Sequence, residues 1–254
     1  MSDEILTTVE DGVMTITLNR PAAKNAINLA LSKAMVAAVD ELDGNADIRA
    51  AVLVGSGGTF CSGMDLKAFV TGETPWIEGR GFGGLVERPP EKPLIAAVEG
   101  YALAGGLELM LSCDLVVASS DARFGIPETK RGLAAAAGGL IRLPRKVPEN
   151  IAMEMALTGD FYETQRMYEL GLINRVVEPG TALEHAIALA RKIAENGPLA
   201  LKRSKQVIRN QSDWTSDTMW ANQQAIVADI MTSHDAREGA TAFAEKRKPN
   251  WKGC

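Results

Sequence analysis

The sequence has few of the residues on which several common kinds of active site depend. Its 254 residues include only two histidines and three cysteines. His185 lies in an alanine-rich helical pattern and His234 in a Ser-His-Asp turn. Both contexts are typical of ordinary helix or surface positions, which argues against a nucleophilic triad. No group of histidines and cysteines has the spacing of zinc ligands, so no metal site is predicted. Carboxylates are the best remaining candidates for acid/base chemistry.

An excess of positive charge and a long apolar run are missing as well. The formal net charge of -5 gives no basic surface of the kind that nucleic-acid binding usually needs. An odd number of cysteines without disulfide-framework spacing fits a reducing compartment. No apolar run approaches the roughly 18 residues of a membrane helix, and the N-terminal stretch lacks a signal-peptide pattern. These absences predict a soluble, cytoplasmic protein that binds neither nucleic acid nor membrane.

Strand and helix patterns alternate over the first two-thirds of the chain. Two alternating apolar stretches flank Asp11-Gly12, which is a hairpin signal. Short apolar runs bounded by glycines predict buried strands, and 3.6-residue periodicity predicts helices. The predicted strands cover residues 5–9, 13–18, 48–54, 94–98 and 115–118, and the predicted helices cover 28–42 and 107–111. This alternation favours an α/β fold with crossover connections.

Only helical patterns remain after about residue 180. They cover residues 182–195, 198–210, 214–231 and 235–246. Pro198 suits a first helical position, and Asp235 and Glu238 have the spacing of a capping box. We therefore expect an α/β core over residues 1–180 and a helical region over residues 181–254.

The segment 72–90 is rich in glycine, proline and charge and has no periodicity. It fits a mobile loop near a site and equally a solvated surface loop. If it borders a site, its Trp76 and Phe82 are the side chains expected to shape an apolar pocket.

Two segments share the order strand, glycine-rich turn, helix start. One covers residues 59–67 and the other residues 100–108. Backbone amides at a helix N-terminus face outward and favour negative charge, so two such turns that converge would present two N–H groups to one anion. Either turn alone is weak evidence, because glycines at such turns usually serve backbone geometry.

Several motifs in order resemble one family. They are Phe-Cys-Ser-Gly-Met-Asp-Leu-Lys at 60–67, Gly-Tyr-Ala-Leu-Ala-Gly-Gly-Leu-Glu-Leu at 100–109, and Phe-Gly-Ile-Pro-Glu at 124–128 followed by Gly138-Gly139. Together with Asn-Arg-Pro at 19–21 and Ala-Phe-Ala-Glu-Lys-Arg at 242–247, they resemble the crotonase (enoyl-CoA hydratase/isomerase) superfamily over nearly the whole chain. The resemblance implies a spiral of ββα repeats whose C-terminal helical region trimerises, often as a dimer of trimers.

The same resemblance implies roles for four residues. The Met64 and Gly105 amides would form an oxyanion hole for a thioester carbonyl, whose approach a side chain at position 105 would obstruct. Hydratases of the family resemble this chain in having glutamate at the positions of Glu108 and Glu128, where the pair would hold one water. By local pattern alone, Glu108 also fits a solvent-facing helix position and Glu128 a turn position. Coenzyme A would be part of the substrate, and no separate cofactor is expected.

Further residues are placed by the resemblance against CoA or the rest of the substrate. They are Ala22, Lys24, Ala26, Ser62, Asp65, Leu66, Lys67, Pro127, Leu133 and Lys246. By itself Asp65 is better explained as the cap of a short helix, and Lys67 fits either a solvated cation or a phosphate contact.

The expected reaction is reversible syn hydration of a trans-2-enoyl-CoA. Dienoyl-CoA isomerases of the family have an acid at the position of Ala136, which argues against that reaction here. The closing stretch 243–253 resembles the carnitinyl-CoA dehydratase branch, so carnitinyl-CoA dehydration and enoyl isomerisation stay as alternatives. From another class, a non-catalytic CoA-binding protein or an RNA-binding relative is the alternative. The acidic balance and the two glutamates count against it.

Overall fold

The described part of the chain, residues 3–254 of a computed structural model, alternates strands and helices up to Val177 and is helical beyond it. The strands are β1 (Ile5–Glu10), β2 (Val13–Leu18), β3 (Ala50–Gly55), β4 (Trp76–Ile77), β5 (Gly81–Phe82), β6 (Leu94–Val98), β7 (Tyr101–Leu103), β8 (Leu115–Ser119), β9 (Arg123–Gly125), β10 (Tyr162–Glu163) and β11 (Arg175–Val177). The helices are α1 (Leu29–Gly44), α2 (Leu66–Val70), α3 (Gly105–Ser112), α4 (Gly139–Arg142), α5 (Glu149–Thr158), α6 (Thr164–Glu169), α7 (Ala182–Ala194), α8 (Pro198–Asn210), α9 (Met219–Val227) and α10 (His234–Glu245). None of these helices is long and apolar enough to span a membrane.

A six-stranded sheet in the order β1-β2-β3-β6-β8-β11 forms the centre of the fold. The β1-β2 pair is the predicted antiparallel hairpin, and Asp11 and Gly12 both have the positive φ that such a two-residue turn requires. All other neighbours in this sheet are parallel. The predicted buried strands are confirmed, although the first of them begins at Ala50 rather than at residue 48.

Alternate residues of the central strands enter two different cores. In β3, Ala50 and Val52 face a small cluster that includes α7, whereas Ala51 and Leu53 face the main core. This division follows from the two-residue period of a strand. The buried stripe of α7 consists of alanines four residues apart, at 182, 186, 190 and 194. Because these side chains are small, the helix packs closely on the sheet.

A second sheet has three strands in the order β10-β9-β7. The strands β6 and β8 belong to the large sheet, while the strands that directly follow them, β7 and β9, pair in parallel in the small one. Helix α3 follows β7, so the chain repeats a strand-strand-helix unit. This is the expected ββα repeat.

Two details of the predicted helical region are wrong. The helix predicted over residues 214–231 is confined to α9 (Met219–Val227). The cap of α10 is Ser233, whose hydroxyl accepts the Ala236 N–H at 3.0 Å, so Asp235 does not start a capping box. Asp235 is buried and instead accepts the backbone N–H groups of Lys252 and Gly253, which fixes the closing segment.

The segment 72–90 is only partly a surface loop. Residues 81–86 are buried, and Phe82, Leu85 and Val86 belong to the main core. The interpretation of this half as a solvated loop is therefore wrong. The spacing of its apolar residues is irregular because β4 and β5 are only two residues long.

Candidate active site

The segments that contain Met64, Gly105 and Glu128 run side by side. Cys61 forms an isolated parallel β-bridge with Ala102, and β7 pairs with β9 in parallel. Neighbouring parallel segments leave a sheet at the same edge, so the residues that follow each segment come together there. In this way the small sheet brings three motifs that are far apart in the sequence to one place.

An open cavity of about 910 Å³ lies at this edge. Its lining includes the following predicted site residues: Ala22, Lys24, Ala26, Ser62, Met64, Asp65, Leu66, Lys67, Gly105, Glu108, Pro127, Glu128 and Leu133. Lys246 is the exception. It follows α10 in a left-handed conformation and does not line the cavity.

Within the described chain, the Met64 and Gly105 amides donate to no acceptor. Ile27 donates its N–H to Gly63 O and accepts the N–H of Asp65, so the Met64 amide between these two bonds stays free. The Gly105 amide is the first of α3 and has no partner in the preceding turn. The two amides lie close together. Gly63 directly precedes Met64, and a Cβ atom added to Gly63 would lie 3.3 Å from Gly105 N.

The turn before α3 is strained. Ala104 has φ 51° and ψ -129°, a conformation that is unusual for a residue with a side chain and costs about 1–3 kcal/mol. It is held by a 2.9 Å hydrogen bond from Ala104 N–H to Gly125 O. A Cβ atom on Gly105 would collide with the Phe82 ring. The glycine at 105 is thus required by Phe82, a reason that differs from the expected obstruction of a thioester carbonyl.

Glu108 lies in the first turn of α3 and is only 3 % exposed, so its interpretation as a solvent-facing residue is wrong. Its Oε1 accepts the Gly139 N–H at 2.8 Å. Burial, together with a smaller effect of the nearby charge of Glu128, raises the pKa of this carboxyl to about 7 against the opposing effect of the Gly139 hydrogen bond. A carboxyl with such a pKa can both hold and release a proton near neutral pH.

Glu128 lies in a 3₁₀ turn, Pro127–Arg131, that ends at a left-handed Gly132. Its Oε2 is buried and, within the described chain, has no hydrogen-bond partner. Burial raises the pKa of this carboxyl too, against the opposing charge of Arg131. A buried acceptor without a partner is costly, so an oxygen of this kind favours a water or a substrate group beside it.

The chain matches a known protein family over nearly its whole length. The family model for enoyl-CoA hydratase/isomerase matches residues 8–254. The chain belongs to the enoyl-CoA hydratase/isomerase family. It is 41% identical to the enoyl-CoA hydratase EchA19 of Mycobacterium tuberculosis over 94% of this chain and 92% of that protein. It is 37% identical to the carnitinyl-CoA dehydratase of Proteus mirabilis over the full length of both. The crystal structure of an enoyl-CoA hydratase from Mycobacterium tuberculosis H37Rv superposes with a TM-score of 0.97, at 56% identity and full coverage of both chains. The ββα spiral of the crotonase fold is therefore shared.

One end of the cavity in this family member is polar. Asp65 caps α2 as predicted, since its carboxylate accepts the amides of Lys67 and Ala68. The Arg20 guanidinium donates to the other carboxylate oxygen of Asp65 at 2.9 Å. The Asn-Arg-Pro motif was the sequence signal for Arg20, but it assigned no role to that side chain. Its contact fixes Asp65 and hence the backbone next to Met64.

The other walls are apolar. Trp76 and Phe82 line the cavity as predicted and meet edge to face, with ring centroids 5.4 Å apart. Ala134, Ala136 and Ala137 add small side chains. Phe161, which follows α5, was missed because no local pattern links it to the other motifs. The apolar walls are thus shaped by segments that are distant in sequence.

Neither histidine takes part in this site. His185 and His234 are both exposed, and neither lines the cavity. In residues 3–254, no three side chains of His, Cys, Asp or Glu are grouped as metal ligands would be.

Proposed function

We propose that this protein is an enoyl-CoA hydratase, which adds water reversibly and syn to a trans-2-enoyl-CoA to give a 3-hydroxyacyl-CoA. One observation carries the proposal. Two carboxyls with raised pKa values, Glu108 and Glu128, face the cavity in which two backbone amides have no acceptor. Coenzyme A belongs to the substrate in this reaction, and we propose no separate cofactor.

The two amides supply the electrostatic part of the mechanism. The thioester carbonyl accepts the N–H groups of Met64 and Gly105, and these bonds strengthen as the oxygen takes up negative charge in the enolate. Loss of one such donor typically costs about 3 kcal/mol of transition-state stabilisation. The Phe82 ring beside Gly105 excludes water from this side, which makes each remaining dipole more effective.

The two glutamates move the protons. One water lies between Glu108 and Glu128, and one carboxylate takes a proton from it as the water oxygen bonds to the β-carbon. The other glutamate, which is protonated, gives its proton to the α-carbon of the enolate on the same face, so the product contains one water more than the substrate and the pair still holds one proton. Because the two carboxyls interact, their titration belongs to the pair. Raised pKa values keep one proton available to the pair near neutral pH.

The cations at the polar end suit the phosphates of coenzyme A. Lys24 and Lys67 line this end, and the Lys24 ammonium also lies 5.2 Å from the centre of the Tyr101 ring. Lys246 remains a proposed phosphate contact on the basis of the family resemblance. Since it does not line the cavity, its contact would involve a part of CoA that extends beyond it.

Oligomerisation and location are further parts of the proposal. We expect a homotrimer or a dimer of trimers formed through a C-terminal region over residues 181–254. Large apolar side chains on that region are exposed, namely Ile208, Trp220 and Phe243 at 71%, 64% and 87%, and patches of this kind mark association surfaces. Cys61 and Cys113 are free and buried, as suits a cytoplasmic protein.

Carnitinyl-CoA dehydration is the second candidate. It is favoured by full-length similarity to the Proteus mirabilis dehydratase and by the closing stretch around Trp251. Both reactions add or remove water next to a thioester, so the fold and site suit either. A panel of enoyl-CoA and carnitinyl-CoA substrates, scored by kcat/KM and product mass, separates them. Hydration adds one water to the mass, isomerisation adds none, and a panel without any product would refute both candidates.

A further inference from the structure

A half-buried guanidinium lies behind the turn that holds Glu108. Arg142 ends α4, and its Nη2 donates to the carbonyl oxygen of Val86. Its Nη1 lies against Gly138, so closely that a Cβ atom there would collide with it. Gly138 has φ 100°, a conformation that favours glycine, and directly precedes Gly139. Arg142 thus contacts the Gly138-Gly139 turn on one side and the segment 81–86 on the other.

These two contacts lead to two different parts of the site. On the first side, the Gly139 N–H donates to Glu108 and fixes the carboxyl at 2.8 Å. On the second side, the Val86 N–H donates to Phe82 O at 3.4 Å, and the Phe82 ring packs on Gly105. One side chain therefore links the turn that holds the carboxyl to the segment that packs on Gly105.

The charge of Arg142 acts on Glu108 as well. It lowers the pKa of that carboxyl, opposing burial and the charge of Glu128. Burial lowers the pKa of Arg142 itself. The charges of Arg209 and Arg145 lower it further, while Glu108 and Cys113 oppose this change. A guanidinium nevertheless stays protonated in proteins. A permanent cation is thus present beside a carboxyl that titrates near neutral pH.

We propose that Arg142 is a positioning residue. By contacting both the Gly138-Gly139 turn and the Val86 carbonyl, it keeps the Glu108 carboxyl at a fixed position relative to the two free amides. The inference rests on the proposed role of Glu108 in hydration. Arg142 does not line the cavity and touches no substrate, so its effect passes through these two contacts. Misplacement of a reacting group by about 1 Å can cost on the order of a hundredfold in rate.

The test compares Arg142→Gln with Arg142→Lys in the full chain, assayed with crotonyl-CoA across pH. We expect Arg142→Gln to lower kcat by about tenfold to a hundredfold while KM changes less than about threefold, because the CoA end of the cavity is untouched. Loss of the cation also raises the pKa of Glu108, so the part of the kcat–pH profile that follows the titration of Glu108 moves to higher pH. Arg142→Lys keeps the charge but not the two-sided contact, so its pH profile stays close to that of the parent while kcat recovers only in part.

The matched control is Arg145→Gln, since Arg145 is half-exposed, pairs with Asp213 and lies one helical turn away. It should leave kcat and the pH profile unchanged. Wild-type kcat and pH profile in Arg142→Gln would overturn the inference while leaving the hydratase proposal intact. A loss of activity in Arg142→Gln that equals its loss of folded protein, measured by circular dichroism, would also overturn it if the pH profile of the folded variant matched that of the parent. Absence of hydration by the parent protein would instead refute the proposed function.

Discussion

The Glu108 carboxyl costs the folded protein free energy, and the cost depends on pH. Burial raises its pKa from 4.5 to about 7. Below pH 4.5 it is protonated in the folded and unfolded states alike, and folding is not penalised. As the pH rises through 4.5 toward 7, the unfolded chain loses this proton first. The free energy of unfolding therefore falls, by about 3 kcal/mol in all, because one pKa unit corresponds to about 1.4 kcal/mol.

Replacement of Glu108 by Gln should remove this cost while keeping an oxygen that accepts the Gly139 N–H. We expect Glu108→Gln to be more stable than the parent at about pH 8, by up to about 3 kcal/mol, and equally stable at about pH 4. Denaturant unfolding at both pH values measures the difference. Glu184→Gln, a change at an exposed position of α7, serves as the control and should show no such difference. Equal stability of Glu108→Gln and the parent at both pH values would contradict the account of the buried carboxyl.

A substitution at Gly105 tests its close contact with the Phe82 ring. Gly105→Ala should lower kcat by about a hundredfold, because its methyl group collides with the Phe82 ring and shifts one of the two free amides. In Gly105→Ala/Phe82→Leu the smaller side chain makes room, and part of the lost activity should return. Steady-state kinetics on crotonyl-CoA measures both variants. If the second change lowers activity further, Phe82 is not what requires glycine at 105.

The sequence pointed to the proposed reacting groups more directly than to the residues that support them. The family resemblance assigned roles to Met64, Gly105, Glu108 and Glu128, and all four line one cavity. The support for Glu108 comes from the Gly139 amide, 31 residues away in the chain. Arg142 was missed for the same reason, since no local pattern says that an arginine in a short helix reaches the carbonyl of a distant loop.

Among the helices, α8 presents two cations to one carboxylate next to the sheet. Asp114, just before β8, accepts Lys205 Nζ at 2.6 Å and Arg209 Nη2 at 2.8 Å, and also the Leu94 N–H. Lys205 is largely buried, and burial lowers its pKa. Loss of the carboxylate leaves a buried cation without its counter-charge, which is far more costly than the loss of a surface pair.

We therefore expect Asp114→Ala to reduce the free energy of unfolding by about 3 kcal/mol. Asp213→Ala is the control, because its pair with Arg145 is exposed and worth less than about 1 kcal/mol. Thermal unfolding followed by circular dichroism compares the two. A similar small effect for both would mean that the Asp114 cluster does not anchor α8.

Helix prediction succeeded where a proline or a glycine marks an end of the helix. The helix α8 was predicted with its bounds, Pro198–Asn210, and Gly44 ends α1 as expected. The small sheet was not predicted, since its strands β7, β9 and β10 are two or three residues long and their pairing is set by packing rather than by alternation. Yet this sheet aligns the motifs of the site. Its edge could be inferred only from the family resemblance.

For the whole molecule, the exposed apolar side chains of the C-terminal helical region favour association with further copies of the chain. We expect sedimentation to show a trimer or a dimer of trimers at micromolar concentration. Trp220→Asp should weaken the assembly, because this exposed side chain belongs to the apolar surface of the helical region. Arg237→Gln, a polar change on exposed α10, is the control. A parent protein that sediments as a monomer would contradict the proposed trimer.

In the proposed mechanism, two glutamates and two free amides hydrate an enoyl-CoA. The rate of water addition to crotonyl-CoA by the parent protein and by Glu128→Gln, with the product identified by mass, tests this mechanism most directly. We expect the parent to form a product heavier by one water. The variant should form it more slowly by about a hundredfold to ten-thousandfold, the usual range for general acid/base catalysis. Hydration by Glu128→Gln at the full rate of the parent would contradict the two-glutamate mechanism.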